Sequence, residues 1–306
     1  MARKPKPTRL SAADSKSGKL QRDLLELLGE HERAGMLPTN GRFLFYELVQ
    51  RGKIPKHYDD LVHQPSQEVT NAIMHLRDVG LVPWNWVLDE TRDVDEWQFA
   101  DSVIKYVEEA ITHARIDCWD GEPPPIVICE SRATAGVLKR IAARYLAPIT
   151  ATGGQSAAHI VNEIVPLLQG NERTVLYIGD HEERGPGEQI EANTRCYIEE
   201  HAGRSFEANT WIKVALTAQQ VARSPRLRKL VITKFDHRHK TPHPYQAVEC
   251  EAVGQSELGR ILQRQLERML PEPLEVVLRR EERQRAQLRR SLASFRKKPL
   301  KGKHRD

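Results

Sequence analysis

The chain contains no apolar run approaching the roughly 18 residues that a membrane span requires, so no membrane helix is expected. Its first residues, MARKPKPTRLS, lack the apolar core of a signal peptide. Cysteine is scarce: there are four in 306 residues, Cys118, Cys129, Cys196 and Cys250, and no two stand at CxxC spacing. Neither a disulfide framework nor a zinc finger is expected from them. No glycine-rich loop ends in the lysine of a P-loop, so no ATP-binding motif is present. These absences predict a soluble, reduced, cytoplasmic protein. The length suits two domains rather than one small module.

Charge is present but unevenly placed. The net charge is +5. Residues 1–22 carry seven positive side chains against Asp14, and residues 279–306 carry twelve against Glu281, Glu282 and Asp306. Those ends hold +6 and +9, so the part between them is −10. Basic arms of this kind track phosphate backbones or keep a chain in solution. An acidic body is easier to understand where carboxylates gather to hold a metal.

Residues 1–18 read as a disordered basic arm. Residues 19–94 read as three short helices, near 19–34, 42–52 and 67–79, with Thr39 or Asn40 capping the second and Ser66 the third. A strand is expected over Leu81–Asp89, with Trp84 and Trp86 on it. Three helices and a strand are the grammar of a winged helix-turn-helix, which binds DNA. A connector helix is expected within 95–120. From 121 to 255 strand and helix alternate. Strands are expected at Ile126–Cys129, Pro148–Thr152, Thr174–Gly179 and Ile212–Leu216, with helices at 133–145, 157–168 and 189–200. That order predicts an α/β domain with a parallel sheet wrapped by helices. Residues 256–306 read as a helical basic tail.

Ligands of open parallel sheets bind beyond the carboxyl ends of the strands. Glu130 follows the first of these strands, and Asp180-His181-Glu182-Glu183-Arg184-Gly185 follows the third. The i, i+2 spacing of Asp180 and Glu182 places both carboxylates on one side of an extended backbone. Three oxygen donors at one sheet edge suit Mg2+ or Mn2+, which need few carboxylates and keep several waters.

A glutamate closing one strand, followed by Asp180-x-Glu182-x-x-Gly185 closing a later one, resembles the signature of the Toprim domain. The resemblance covers about residues 122–216, and Glu182 stands where the family's second aspartate is usual. With a winged helix upstream, the chain resembles the branch holding the topoisomerase VI A subunit, its meiotic relative and the Wadjet nuclease subunit. The resemblance implies Glu130, Asp180 and Glu182 as metal and catalytic residues. It implies a metal-dependent DNA nuclease or DNA-cleaving subunit, with double-stranded DNA, a separate ATPase subunit and a second copy of the chain as partners. Arg42-Phe43-Leu44-Phe45-Tyr46 looks similar to the stretch carrying the attacking tyrosine in the topoisomerase members, which implies Tyr46 as a nucleophile. Two alternatives stay open: transesterification through Tyr46, and a non-catalytic DNA-binding assembly subunit.

Arg42, Lys53, Lys56 and Arg77 are the residues expected to touch DNA phosphates. Asp236, His237, His239 and His243 hint at a metal, though a cationic loop touching nucleic acid or solvent is the expected reading. Glu249 and Glu251 could serve a remote metal shell, but a solvated face is the expected reading.

Overall fold

A computed structural model describes residues 9–58, 64–88, 99–153, 159–183, 186–236 and 243–296. The fold is α/β, with parallel strands and many helices. The chain divides into two compact units: Met1–Arg92 with Pro123–Gln265, and Asp93–Glu122 with Leu266–Asp306. Among the described residues no helix is long and apolar enough to cross a membrane.

The first unit opens with α1 (Lys16–Arg33), which buries Leu20, Leu24, Leu27 and Leu28 at helical spacing. The two-residue strand β1 (Thr39–Asn40) leads into α2 (Gly41–Gln50). Asn40 caps α2: its Oδ1 accepts the Phe43 amide, one of the first-turn donors that a helix cannot satisfy itself. The third helix, α3 (Pro65–Asp78), starts before Ser66. Pro65 fits the first turn, where no amide is needed, and Gln64 makes no side-chain cap bond. The strand expected over Leu81–Asp89 is also shorter than its alternation suggests. Trp84–Trp86 form a 3-10 turn after Pro83, and only β2 (Val87–Leu88) is extended, paired in parallel with β1. Asp89 lies outside the described residues.

Past α4 (Val103–His113), which belongs to the second unit, the main sheet begins with β3 (Ile126–Cys129). It continues through α5 (Arg132–Arg144), β4 (Ile149–Ala151), α6 and β5 (Val175–Ile178). Here α6 is a π-helical turn at Ile160–Ile164 that runs into Val165–Leu168. After β6 (His181–Glu183) and α7 (Pro186–Ala202), β7 (Trp211–Ala215) completes the sheet. The strand order is β4-β3-β5-β7 and every pairing is parallel. Every residue of β3 and β5 is buried, as continuous apolar runs covered on both faces should be. One layer of the core joins Ile126, Ile128, Val175 and Tyr177 to Ile160, Ile164, Leu168 and Trp211. Truncating one such side chain to alanine typically costs about 2–5 kcal/mol.

The chain leaves β3 toward β4 on one side and returns to place β5 on the other. The gap between the ends of β3 and β5 is therefore the switch point of the sheet, where ligands of such sheets bind. After α8 (Ala218–Arg223) and α9 (Pro225–Arg228), β8 (Ile232–Asp236) and β9 (His243–Val248) form an antiparallel ladder, to which β6 adds in the order β6-β9-β8. This second sheet carries the chain from the switch point to a 3-10 turn at Cys250–Val253 and back. Next comes α10 (Gln255–Met269).

The second unit pairs α4 with α11 (Leu274–Arg296). Glu281 is buried there and does not stand alone: Arg115 Nε lies 2.9 Å from its Oε2, and the Ile116 amide donates to the same oxygen at 3.1 Å. A helix is thus found within the expected 95–120 connector and another within the expected tail.

Candidate active site

Glu130 is placed by the sheet itself. Its amide donates to the Ile178 carbonyl at 2.8 Å, extending the β3–β5 ladder one residue past the strand end. Asp180 follows β5 by two residues, and its amide donates to Glu130 Oε2 at 3.1 Å. Gly179 between them has no room for a side chain: a Cβ there would stand 2.7 Å from Glu130 Oε2 and 2.8 Å from Cε1 of the buried Tyr177. Glu182 lies on β6, opposite Ala247, and is 7% exposed. The three carboxylates read from the sequence thus gather at the switch point.

Two further acids join them. Asp180 Oδ1 accepts the Cys250 amide at 2.8 Å, which fixes the 3-10 turn after β9 against the sheet edge. That turn carries Glu251, 1% exposed, whose Oε1 accepts the Ser131 hydroxyl at 2.7 Å and faces Arg42 Nε at 3.1 Å. Its other oxygen, Oε2, is buried with no hydrogen-bond partner, while the buried Oε2 of Glu249 faces Lys56 Nζ at 3.8 Å and Arg42 at 3.9 Å. The solvated face expected for Glu249 and Glu251 is therefore corrected: the turn folds them inward. Their separation from Asp180 in sequence hides this. The one local signal is the apolar Ala247-Val248 pair just before them, which anchors β9 in the core.

The cations at the site are already engaged with these acids. Lys234 Nζ lies 3.7 Å from Glu182 and 3.4 Å from Glu249. Lys56 Nζ lies 3.8 Å from Glu249 and 5.3 Å from the centroid of the Tyr46 ring. Lys213 donates to the Asp180 carbonyl at 3.2 Å and pairs with Glu191 at 2.8 Å. Of the residues expected to touch DNA, Arg42 and Lys56 therefore border the acids. Lys53 instead pairs with Asp23 at 2.7 Å. Arg77 donates to the carbonyls of Trp84 (2.7 Å) and Val87, bracing the turn before β2. Tyr46 is 6% exposed, packed edge-on against Phe45 with ring centroids 5.0 Å apart. Asp236 and His243 are register partners across the β8–β9 ladder. His237 and His239, like Gly185, lie outside the described residues, as do residues 1–8 and 297–306 of the two basic ends.

Crowding sets the electrostatics. Burial pushes the Glu130 carboxyl up to about 7, and the charges of Asp180 and Glu182 push the same way. Burial also raises Glu249 and Glu251, with Arg42 opposing it in both. Burial lowers the Lys56 ammonium to about 8, helped by the charge of Lys234. A carboxyl raised on folding stabilises the native state fully below its unfolded value, and that stabilisation is lost as pH rises through the folded value. For Glu130 the window runs from about 4.5 to about 7. In EDTA, stability should fall across this window by roughly 1–3 kcal/mol, with partial exposure keeping it toward the low end. Thermal melts across the window test this; Glu130→Gln should flatten the slope, and an unchanged slope would clear Glu130 of the effect.

A cluster of buried carboxylates, with Glu251 Oε2 making no hydrogen bond, fits a hard divalent cation, and the donors are all oxygen. Among the described residues no three acidic, histidine or cysteine side chains form a ready ligand group. Comparison of the chain with protein-family models, curated proteins and solved structures finds no match.

Proposed function

We propose that this chain is a DNA-binding, divalent-metal-dependent phosphodiesterase that cuts DNA. The observation that carries the reading is the meeting of Glu130, Asp180 and Glu182 at the switch point of a parallel sheet, backed by Glu251. The Toprim-like spacing of these acids supports it. Asp180 and Glu182 would hold Mg2+ or Mn2+, and Glu130 beside them would serve as the general base. When bound, such an ion offsets charge on a phosphoryl group and acidifies a coordinated water.

The chain's own groups supply the rest. Glu130, placed beside Asp180 by the Asp180 amide, can accept the proton of an attacking water. Arg42, held at 3.1 Å from Glu251, offers guanidinium donors beside the acids to a phosphate oxygen. Lys56, lowered to about 8, can return a proton to the leaving oxygen. The negative cluster needs a cation before a phosphodiester can approach, which makes the reaction metal-dependent. The basic arms supply non-specific affinity for duplex DNA.

Water rather than Tyr46 is the nucleophile in this reading, because the Tyr46 ring is buried and packed edge-on against Phe45. Tyr46→Phe removes one oxygen and keeps the ring, so stability should change by about 1 kcal/mol or less. Supercoiled plasmid incubated with Mg2+ or Mn2+ should be cut equally by wild type and Tyr46→Phe, with no protein left on the DNA ends. A covalent protein–DNA adduct that disappears in Tyr46→Phe would replace this reading with transesterification.

A further inference from the structure

A cleft of about 480 Å3 lies beside the acidic site, on the other side of Arg42. Its walls come from the start of α2, from α3, from β2 and from the start of α5, and no acidic residue lines it. Arg42, Arg77 and Arg132 all border it. Arg132 is exposed, and among the described residues its side chain makes no ion pair or hydrogen bond. Arg42 is held by Glu251 and Arg77 by the carbonyls of Trp84 and Val87, so both guanidiniums are fixed in place before any ligand arrives.

A second device shapes the same cleft. Buried Asn40 caps α2 through Oδ1 and donates from Nδ2 to the Ala133 carbonyl at 2.8 Å. One side chain thus joins the first turns of α2 and α5, whose leading amides have no intrahelical acceptors. Both helix starts add positive potential to a cavity already lined by three guanidiniums. Part of the lining is apolar, a wall formed by Ile73, Met74, Val87 and Leu88. A phosphate group alone would leave that wall uncovered. The volume falls in the range of about 300–1,000 Å3 typical of small-molecule sites, far too small for a duplex.

We propose that this cleft holds one unpaired nucleotide of a DNA strand, its phosphate on Arg132 and Arg42 and its sugar and base on the Ile73–Met74–Leu88 wall. Arg42 then links the two sites, touching Glu251 of the acidic site on one side and the nucleotide on the other. The substrate class follows: DNA that offers an unpaired nucleotide, at a single-stranded end, a gap or the locally unpaired bases of a negatively supercoiled plasmid, rather than a relaxed, fully paired duplex. This rests on the DNA-cleaving reading above.

The test is equilibrium binding in EDTA, where no cutting occurs, with fluorescent oligothymidylate, a blunt duplex and thymidine monophosphate as probes. Arg132→Ala removes an unpaired surface charge. Met74→Glu sets an anion on a half-exposed part of the apolar wall. Each should weaken oligothymidylate binding by about tenfold, the loss expected for one charge-assisted contact, and leave the blunt duplex nearly unchanged. Unchanged oligothymidylate binding in both variants overturns the proposal. Equal losses for strand and duplex also overturn it, since the arginines then form a general backbone track. Thymidine monophosphate binding as tightly as the strand assigns the cleft to a free nucleotide and overturns the strand assignment. Arg132-dependent strand binding by a protein that never cuts DNA would leave the cleft standing and remove the nuclease reading. Metal-dependent cutting with no dependence of binding on Arg132 would do the reverse.

Discussion

Asp180→Asn is expected to weaken manganese binding by about a hundredfold or more while the protein stays folded. Asp180 is the hub of the acidic site. Its amide holds Glu130, its Oδ1 holds the Cys250 amide, and its charge acts on both Glu130 and Glu251. Asparagine keeps an oxygen for the Cys250 amide, so the 3-10 turn and the second sheet remain attached. What is lost is one negative charge and one carboxylate oxygen. The charge that helps raise Glu130 disappears with it, so the Glu130 carboxyl should titrate closer to its ordinary range. Calorimetric titration with Mn2+, alongside a thermal melt, reads both parts. Unchanged manganese affinity in a folded Asp180→Asn protein removes Asp180 from the site.

Gly179→Ala should damage the same site through packing rather than charge. The added methyl would meet Glu130 Oε2 and the Tyr177 ring, both closer than 3.0 Å. Tyr177 is fully buried and stacked on Trp211 with ring centroids 5.7 Å apart, so it cannot swing away without opening the core. Glu130 must move instead, giving up the Asp180 amide. Overpacking of this kind costs about 1–3 kcal/mol, and manganese affinity should fall together with stability. A Gly179→Ala protein with the wild-type melting point and wild-type manganese affinity would show that the contact relaxes freely.

The main sheet was legible because its strands are buried on both faces. Runs such as Ile126–Cys129 and Val175–Ile178 have no polar residue to blur them, and Glu130 and Asp180 stand out directly after them. The early part was harder to read. A two-residue ladder, Thr39–Asn40 with Val87–Leu88, has no periodicity, and the alternation around Trp84 and Trp86 comes from a 3-10 turn. Glu249 and Glu251 look like a solvent-facing pair in isolation. Their burial depends on β6 adding to β9 and on the Cys250 amide finding Asp180, contacts across 70 residues of chain that no local pattern encodes. Arg42 shows the same effect from the other direction: a cation on an amphipathic helix suggests phosphate, and only the fold brings Glu251 to it. The pairing of α4 with α11 is equally nonlocal, set by Arg115 and the buried Glu281.

Metal-dependent cleavage is tested most directly by the rate of nicking of supercoiled plasmid as Mn2+ is titrated, wild type beside Glu130→Gln. Wild type should nick with a saturable dependence on the ion and stop in EDTA. Glu130→Gln keeps the shape and the Asp180 amide contact but loses the proton acceptor, and should be slower by about a hundredfold or more. Nicking that persists in EDTA, or a Glu130→Gln protein as fast as wild type, contradicts metal-dependent hydrolysis at this site.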